Sequence, residues 1–367
     1  MRAATSNPRT MRDDAISLLR ELTEAHGVPG SEDAVRAIFR RRLEGCGSFS
    51  TDKLGSIACE RAGSGPRVLV AGHCDEVGFA VQNITPRGFL KIVGLGGWWT
   101  HTMVAQRVRI LTRSGREILG IIGSTPPHFL ADSQKDKLMT MDQLVIDIGA
   151  SSREEAEGWG VALGDPVAPF SEFTPLAHPD MFVSKAFDNR CGVAASIQSL
   201  LLLRDETLPC ALIAAGSVQE EIGCRGAQTL GTLTSPDVAL VMEGTPADDT
   251  HGMELSDSQG RLRSGVQIRM LDPTAIMNRR LVHFIADTAK AEGIPHQMAV
   301  RKSGGTDAKS FQFHATGVPC VVLGVPARYI HSHNSIIDIT DYEAAVNLVC
   351  AVVRKLDAAA VAGLTAW

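Results

Sequence analysis

Absences narrow the reading of this chain first. No two of its eight cysteines form a C-x-x-C pair, so zinc-ribbon and thioredoxin-type readings fail. The longest purely apolar runs are a handful of residues, such as 200–203, and none can span a bilayer. No block of like charge occurs, and a net charge of −5 is too mild to imply a nucleic acid or a membrane surface as partner. Residues 1–14 have neither an apolar core nor a small-residue cleavage pattern, so the expected location is the cytoplasm. There is no internal repeat and no low-complexity segment.

What is present is ordinary for a globular protein, with 44% apolar and 21% charged residues. A length of 367 residues suggests two domains, or one large domain carrying an insertion. In the cytosol the cysteines should be reduced. Cys210, Cys320 and Cys350 lie in apolar runs, where a thiol serves as a small hydrophobe. Cys74, Cys191 and Cys224 each fall beside a candidate site residue. Small filler is the expected role there, with metal ligation or redox control as the alternative.

Periodicity sorts the chain into three stretches. Residues 12–26 have the spacing of an amphipathic helix, and a second helix is expected after Ser31, an N-cap type, with Val35, Ile38, Phe39 and Leu43 in helical period. Val68–Ala71 is wholly apolar, which suits a strand covered on both faces. From 77 to 179 helical periodicity nearly vanishes. Short alternating runs are divided by turn signals such as Thr85-Pro86-Arg87-Gly88 and Arg113-Ser114-Gly115, and one short helix near 152–158 is the exception. From 180 onward, strands at 211–215, 238–242 and 319–323 alternate with helices near 190–203, 277–291 and 340–359. The expectation is an α/β mixed-sheet catalytic core, residues 1–76 and 180–367, with a small β-barrel-like domain inserted at 77–179.

The chemistry gathers at strand ends and helix starts. His73 and Asp75 follow the 68–71 strand two residues apart, so in extended chain they face the same way. A carboxylate beside a histidine orients the ring and raises its basicity, as a metal ligand needs. Asp188 precedes a helical stretch. Read alone it is an N-cap, but its two oxygens could also bridge two ions. Glu220 and Glu221 close the 211–215 strand, and adjacent residues in extended chain point to opposite sides. One could ligate a metal while the other serves as general base. Glu243 ends the 238–242 strand, where alone it reads as a turn cap. His331 follows the 319–323 strand, with His333 as a rival ligand two residues on. Oxygen and imidazole donors without thiolate suit Zn²⁺, Co²⁺ or Mn²⁺. A bridging Asp188 would hold two ions about 3.5–4 Å apart, as co-catalytic hydrolases require.

The chain resembles the tetrahedral (TET) aminopeptidases, family 42 of the metallopeptidases. The segments that carry the resemblance run in order along nearly the whole chain. They include AGHCDEVGF, GFLKIVGLGGWW, IGSTPPH, DIGASSREEAEGWGVALGD, AFDNRCG, SVQEEIGCRGA, SGGTDAKSF and VPARYIHSHN. The resemblance implies a phosphorylase/hydrolase-like fold and a metal-dependent aminopeptidase acting on short peptides with a free N-terminus. It implies two divalent ions per subunit, zinc or cobalt with manganese as a third option. His73, Asp188 and Glu243 would hold one ion, and Asp188, Glu221 and His331 the other. Glu220 would be the general base, and Asp75 would support His73. It also implies self-association, often as a twelve-subunit tetrahedral cage, with the inserted domain helping subunits to pair. Three positions depart from the family pattern: Glu243 where aspartate is common, Cys74 where methionine is common, and His333 where proline is common.

Other readings compete. A dinuclear deacylase or carboxypeptidase acting on N-acyl amino acids would need a cation for the substrate carboxylate, for which Arg328 is the candidate. A glycosidase could use Glu220 and Glu221, but has no use for two histidines and a bridging aspartate. A non-catalytic cage subunit would bind metal without hydrolysis. Asp248, Asp249 and His251 could meet a basic substrate side chain or form a polar loop. Acidic, basic and apolar preferences all stay open at this level.

Overall fold

A computed structural model describes residues 8–366. Strand Arg67–His73 is buried from Val68 onward, which its unbroken apolar run requires of a strand covered on both faces. It lies between strands Ala211–Ser217 and Val238–Pro246, parallel to both. Cys320–Ala327 adds a fourth parallel strand. Antiparallel strands close the two sides: Ile57–Arg61 with Ser48–Thr51, and Val266–Asp272 with Ala275–Ile276. His296–Val300 pairs parallel to Val266–Asp272, completing a nine-stranded mixed sheet.

Helix Phe187–Leu203 lies across the parallel centre and is buried along nearly its whole length. It accordingly has no amphipathic stripe, and its buried polar residues, such as Asn189, Arg190 and Ser196, donate to carbonyls of neighbouring elements. Helices Pro8–Glu24 and Ile339–Val353 pack against it. The second helix starts at Asp33 with Glu32 at its cap position; Ser31 instead donates its N–H to Val28 O in the preceding turn. The expected 340–359 helix divides into Ile339–Val353 and Ala358–Thr365, because Asp357 caps a new start by accepting from Ala360 N.

Strands Gly78–Ile84, Leu90–Leu95, Val145–Asp147, Glu117–Gly123, Arg107–Leu111 and Pro166–Pro169 close into a six-stranded barrel in that order. Its interior is a separate apolar cluster that includes Phe79, Val81, Ile92, Val108, Ile110, Ile122, Ile146 and Val167. Strand Glu117–Gly123 alternates outward and inward, as a barrel wall demands. Its outward side carries Leu119 and Ile121, both exposed, and Phe129 is exposed nearby.

All four parallel strands run toward one edge of the sheet. The register sets Ser217 level with His73 and Val241 level with Ala71. Glu243 therefore falls beside His73. Loops beyond the carboxyl ends of such strands are where open α/β sheets place their ligands.

Candidate active site

Each candidate side chain is held by the element that delivers it. His73 is the last residue of its strand, and its Nδ1 lies 3.1 Å from Asp75 O and 3.5 Å from Asp75 Oδ1. The Asp75 carboxylate also accepts from the backbone N–H groups of Glu220 and Glu221, both at 3.0 Å. One buried aspartate thus ties two strand-end loops together. Asp188 and Asn189 form a non-helical opening within the Phe187–Leu203 segment, and Asn189 fixes it. The Asn189 amide donates to Met242 O at 2.7 Å and accepts from Gly192 N at 3.0 Å. Gly244 makes this approach possible: a Cβ there would lie 2.5 Å from Phe187 O and 2.7 Å from Asp188 Cα. His331 comes from the loop after Cys320–Ala327, and its Nδ1 sits 2.9 Å from Gly97 O, a carbonyl supplied by the loop after the second barrel strand. Imidazole ligands are commonly oriented by such a partner on the other ring nitrogen.

Backbone strain concentrates here. Ala186, Gln219, Cys224, Tyr329 and His331 all have φ between 53° and 60°, a region non-glycine residues rarely occupy. Such conformations persist where surrounding contacts over-determine them, often at functional sites.

The side chains meet in two triads that share Asp188, and His73, Glu220 and Glu221 form a further group at the same spacing. His73 Nε2 is 3.2 Å from Asp188 Oδ1 and 3.7 Å from Glu243 Oε2. His331 Nε2 is 3.4 Å from both Asp188 Oδ2 and Glu221 Oε2. In each triad the donor atoms lie within 4.8 Å of one another. Glu220 belongs to neither of these triads and stands beside them, its Oε2 3.8 Å from His73 Nε2. All of these residues line one cleft of about 490 Å³.

The electrostatics are those of a concentrated set of acids. Burial drives the carboxyls of Glu221 and Glu243 well above the ordinary range, with Asp188 and Glu220 adding repulsion. Burial raises Glu220 to about 8; His73 opposes this, while Asp307, Asp75 and Asp188 reinforce it. Burial disfavours charge on His331 too, yet Asp188 and Glu221 raise it to about 9. Glu221 Oε1 is buried with no hydrogen-bond partner. Among the described residues no lysine or arginine forms an ion pair with Asp188, Glu220, Glu221 or Glu243. Two imidazoles cannot compensate four buried carboxylates, whereas divalent cations on nitrogen and oxygen donors can. The residues fit such ions.

A pH dependence follows for metal-free protein. Glu220 moves from 4.5 to about 8 and His331 from 6.5 to about 9, so at these two groups the folded apo-protein holds more protons than the unfolded chain; His26 and His333, each lowered to about 4, act in the opposite sense at lower pH. The contribution of these two groups to stability must then fall as pH rises, Glu220's from about 4.5 to about 8 and His331's from about 6.5 to about 9. Thermal melts of chelator-treated protein should show this decline, and metal-loaded protein should lack it, since metal binding favours the deprotonated ligands. A flat apo profile over that range would refute the charge imbalance.

Other candidates take different places. His333 is buried 5.5 Å from the Trp98 ring and in neither triad. Burial and nearby Lys185 lower it to about 4. The positive φ at His331 breaks the extended geometry that would have aimed both rings alike. Arg328 is occupied by a two-point pairing with Asp249 at 2.7 and 2.8 Å, and Asp248 pairs with Arg301 at 2.9 Å. These residues form a self-neutralised polar loop. Cys74 and Cys191 are fully buried filler. Three features carry no clear mark in the sequence: Asp307 beside Glu220, the Gly97 carbonyl behind His331, and the buried Glu76–Lys185–Arg190 cluster. Acid and base at 76, 185 and 190 flank the site residues closely, a signal that could have drawn attention to them.

Histidines and carboxylates grouped in this way at the carboxyl edge of a parallel sheet characterise a metal-dependent hydrolase. Comparison with known proteins makes the class specific. The family model for M42 glutamyl aminopeptidases matches residues 55–348, and one termed AMPT matches residues 13–39. The chain is 36% identical over 349 residues to the glutamyl aminopeptidase of Lactococcus lactis subsp. cremoris, covering 94% of this chain and 97% of that one. A TET aminopeptidase from the marine sediment archaeon Thaumarchaeota archaeon SCGC AB-539-E09 shares the fold, with a TM-score of 0.94, 38% identity and coverage of 96% and 99%. The Pyrococcus horikoshii TET1 peptidase, which can assemble into a tetrahedron or a large octahedral shell, matches with a TM-score of 0.84, 29% identity and coverage of 93% and 100%. The chain belongs to the M42 aminopeptidase family. It is a peptidase that hydrolyses peptides from the N-terminus, and its family implies divalent metal. No helix among the described residues is long and apolar enough to cross a membrane.

Proposed function

We propose that this chain is a dinuclear metallo-aminopeptidase in which Glu220 is the general base. The observation that carries this reading is the pair of triads sharing Asp188 in one cleft, with Glu220 beside them and outside both. His73, Asp188 and Glu243 would hold one ion; Asp188, Glu221 and His331 would hold the other. When bound, such a pair acidifies a water and polarises the scissile carbonyl. Glu220 takes the proton of the attacking water and returns it to the leaving amine. Asp75 keeps the His73 ring in place and holds the Glu220–Glu221 backbone at hydrogen-bond distance, so base and ligands stay in fixed register. Zinc or cobalt is the expected pair, with manganese as the alternative.

The cleft also supports a substrate preference. Beyond the triads and Glu220, its charged lining consists of Arg269 and Lys309. Arg269 is engaged by Asp272 and Thr245. Lys309 is exposed and in no ion pair among the described residues. A cationic wall without a free acid favours an acidic N-terminal residue, in keeping with the glutamyl label of the family. Apo-protein reloaded with Co²⁺, Zn²⁺ or Mn²⁺ in turn should release nitroaniline fastest from the glutamyl substrate of an aminoacyl panel. Lys309→Ala should cut the glutamyl-to-leucyl ratio of kcat/KM by about tenfold, as expected for losing one charged hydrogen bond. Activity on N-acyl amino acids alone would instead favour the deacylase reading.

Assembly and location complete the proposal. The barrel strands span residues 78–169, whereas Phe173 and strand Thr174–Pro175 pack with the catalytic core, so the inserted domain ends near 170 rather than 179; the exposed Leu119, Ile121 and Phe129 on it suit pairing between subunits. A twelve-subunit tetrahedral cage in the cytoplasm is the expected form.

A further inference from the structure

The two triads leave three potential ligands in the same neighbourhood unused. Glu220, Cys224 and Asp307 each bring one donor atom to within 4.8 Å of the others. Cys224 Sγ is 3.3 Å from Glu220 Oε1. Around a tetrahedral zinc, with bonds of about 2.3 Å to sulfur and about 2.0 Å to oxygen, neighbouring ligands stand at a similar spacing of about 3.5 Å. Asp307 supplies an independent sign. It is 1% exposed, and its Oδ2 accepts from Ser217 Oγ. Its Oδ1 is buried with no donor. A buried carboxylate oxygen without a partner is costly, and a bound cation would offset that cost. Cys224 has a positive φ, and its thiol donates to Glu220 Oε1, although proton transfer by Glu220 has no need of sulfur.

We propose that Glu220, Cys224 and Asp307 form a third, inhibitory site for a thiophilic divalent cation of the Zn²⁺ or Cd²⁺ type. Binding forms an Sγ–metal bond, and the displaced thiol proton leaves to solvent; no oxidation state changes. The thiolate selects zinc or cadmium over manganese or magnesium. Occupation ties up the Glu220 carboxylate, so excess zinc halts turnover while the two resident ions stay in place. The inhibition rests on the reading of Glu220 as base; the binding itself does not.

Cadmium is the probe, used on the full chain carrying Cys46→Ser, since Cys46 is the one cysteine that is not buried. Protein is first loaded with two equivalents of Co²⁺ and then titrated with Cd²⁺. Elemental analysis, the ultraviolet thiolate-to-cadmium band and turnover are followed together. The expected result is one cadmium per subunit, both cobalt ions retained, a growing thiolate band and a parallel loss of activity. Cys224→Ala should abolish the band, and both it and Asp307→Asn should weaken cadmium binding at least about tenfold, a loss that even changes around metal ligands can produce. An unchanged band in Cys224→Ala, cadmium that only replaces cobalt, or no extra cadmium in the parent protein would each overturn the site. Should Cys224→Ala fail to fold, an unaltered cadmium affinity in Asp307→Asn would overturn it as well. Failure of the two-metal reading would show earlier, as an inability to retain two cobalt ions before any cadmium is added.

Discussion

Replacing Glu220 by glutamine should lower kcat by about 10²- to 10⁴-fold, the range expected for loss of a positioned general base, with the metal content unchanged. Glutamine keeps the volume and a carbonyl acceptor, so the loop has no steric reason to move. That loop is held through its backbone, where Asp75 accepts from the N–H groups of residues 220 and 221, and the substitution leaves those bonds intact. Neither triad uses the Glu220 carboxylate, so both ligand sets survive. What disappears is the ability to take a proton from water and return it to the leaving amine. Steady-state kinetics paired with elemental analysis separates the two effects. A variant with near-normal turnover would remove Glu220 from the role of base. A variant that lost metal would instead show Glu220 to be a ligand.

The second large effect is on stability. Glu76→Ala should destabilise the protein by about 3–5 kcal/mol, the loss typical of breaking a buried ion pair from one side. Glu76 is 1% exposed, and its Oε1 accepts from Lys185 Nζ at 2.5 Å and from Arg190 Nη2 at 3.0 Å. Both cations are buried, and they also donate to the carbonyls of Leu22, Ala25 and Gly27. This cluster docks the end of the first helix against the start of the central helix, directly behind Asp188. Removing the one carboxylate would strand two buried positive charges. Glu76→Gln keeps an acceptor and should fall between the parent and alanine. Denaturant midpoints would measure the series; an alanine variant within about 1 kcal/mol of the parent, well below the buried-pair range, would show that the cations find another partner.

Much of the architecture was visible in the chain because it depends on local pattern. Val68–Ala71, the 211–215 and 238–242 runs and the 319–323 run are apolar without alternation, and all became parallel central strands. The turn-rich stretch after residue 77 became a closed barrel. The edges were harder. Hairpin Ser48–Thr51/Ile57–Arg61 is partly exposed, so no continuous apolar run announces it. Helix Arg225–Thr234 begins after Cys224, in a left-handed conformation and without a side-chain cap, so the usual start signal is missing. Strand Val266–Asp272 carries Gln267 and Arg269 into the interior. Gln267 donates to Gln259 O, and the terminal nitrogens of Arg269 donate to Thr245 and Asp272, partners that only the folded chain supplies; Arg269 Nε stays unpaired.

The sequence by itself determined which donors are available and that they sit at strand ends and helix starts, because burial and chain direction follow from apolar pattern and turn chemistry. Only the tertiary structure decided which donors meet. It set Glu243 level with His73 through strand register, turned His331 toward Asp188 through a left-handed backbone, and sent His333 against Trp98. It also brought Cys224 and Asp307 to Glu220. Ligation and proton transfer depend on separations of a few ångströms between residues far apart in the chain, and those separations are set by packing of the whole molecule rather than by any local pattern of residues.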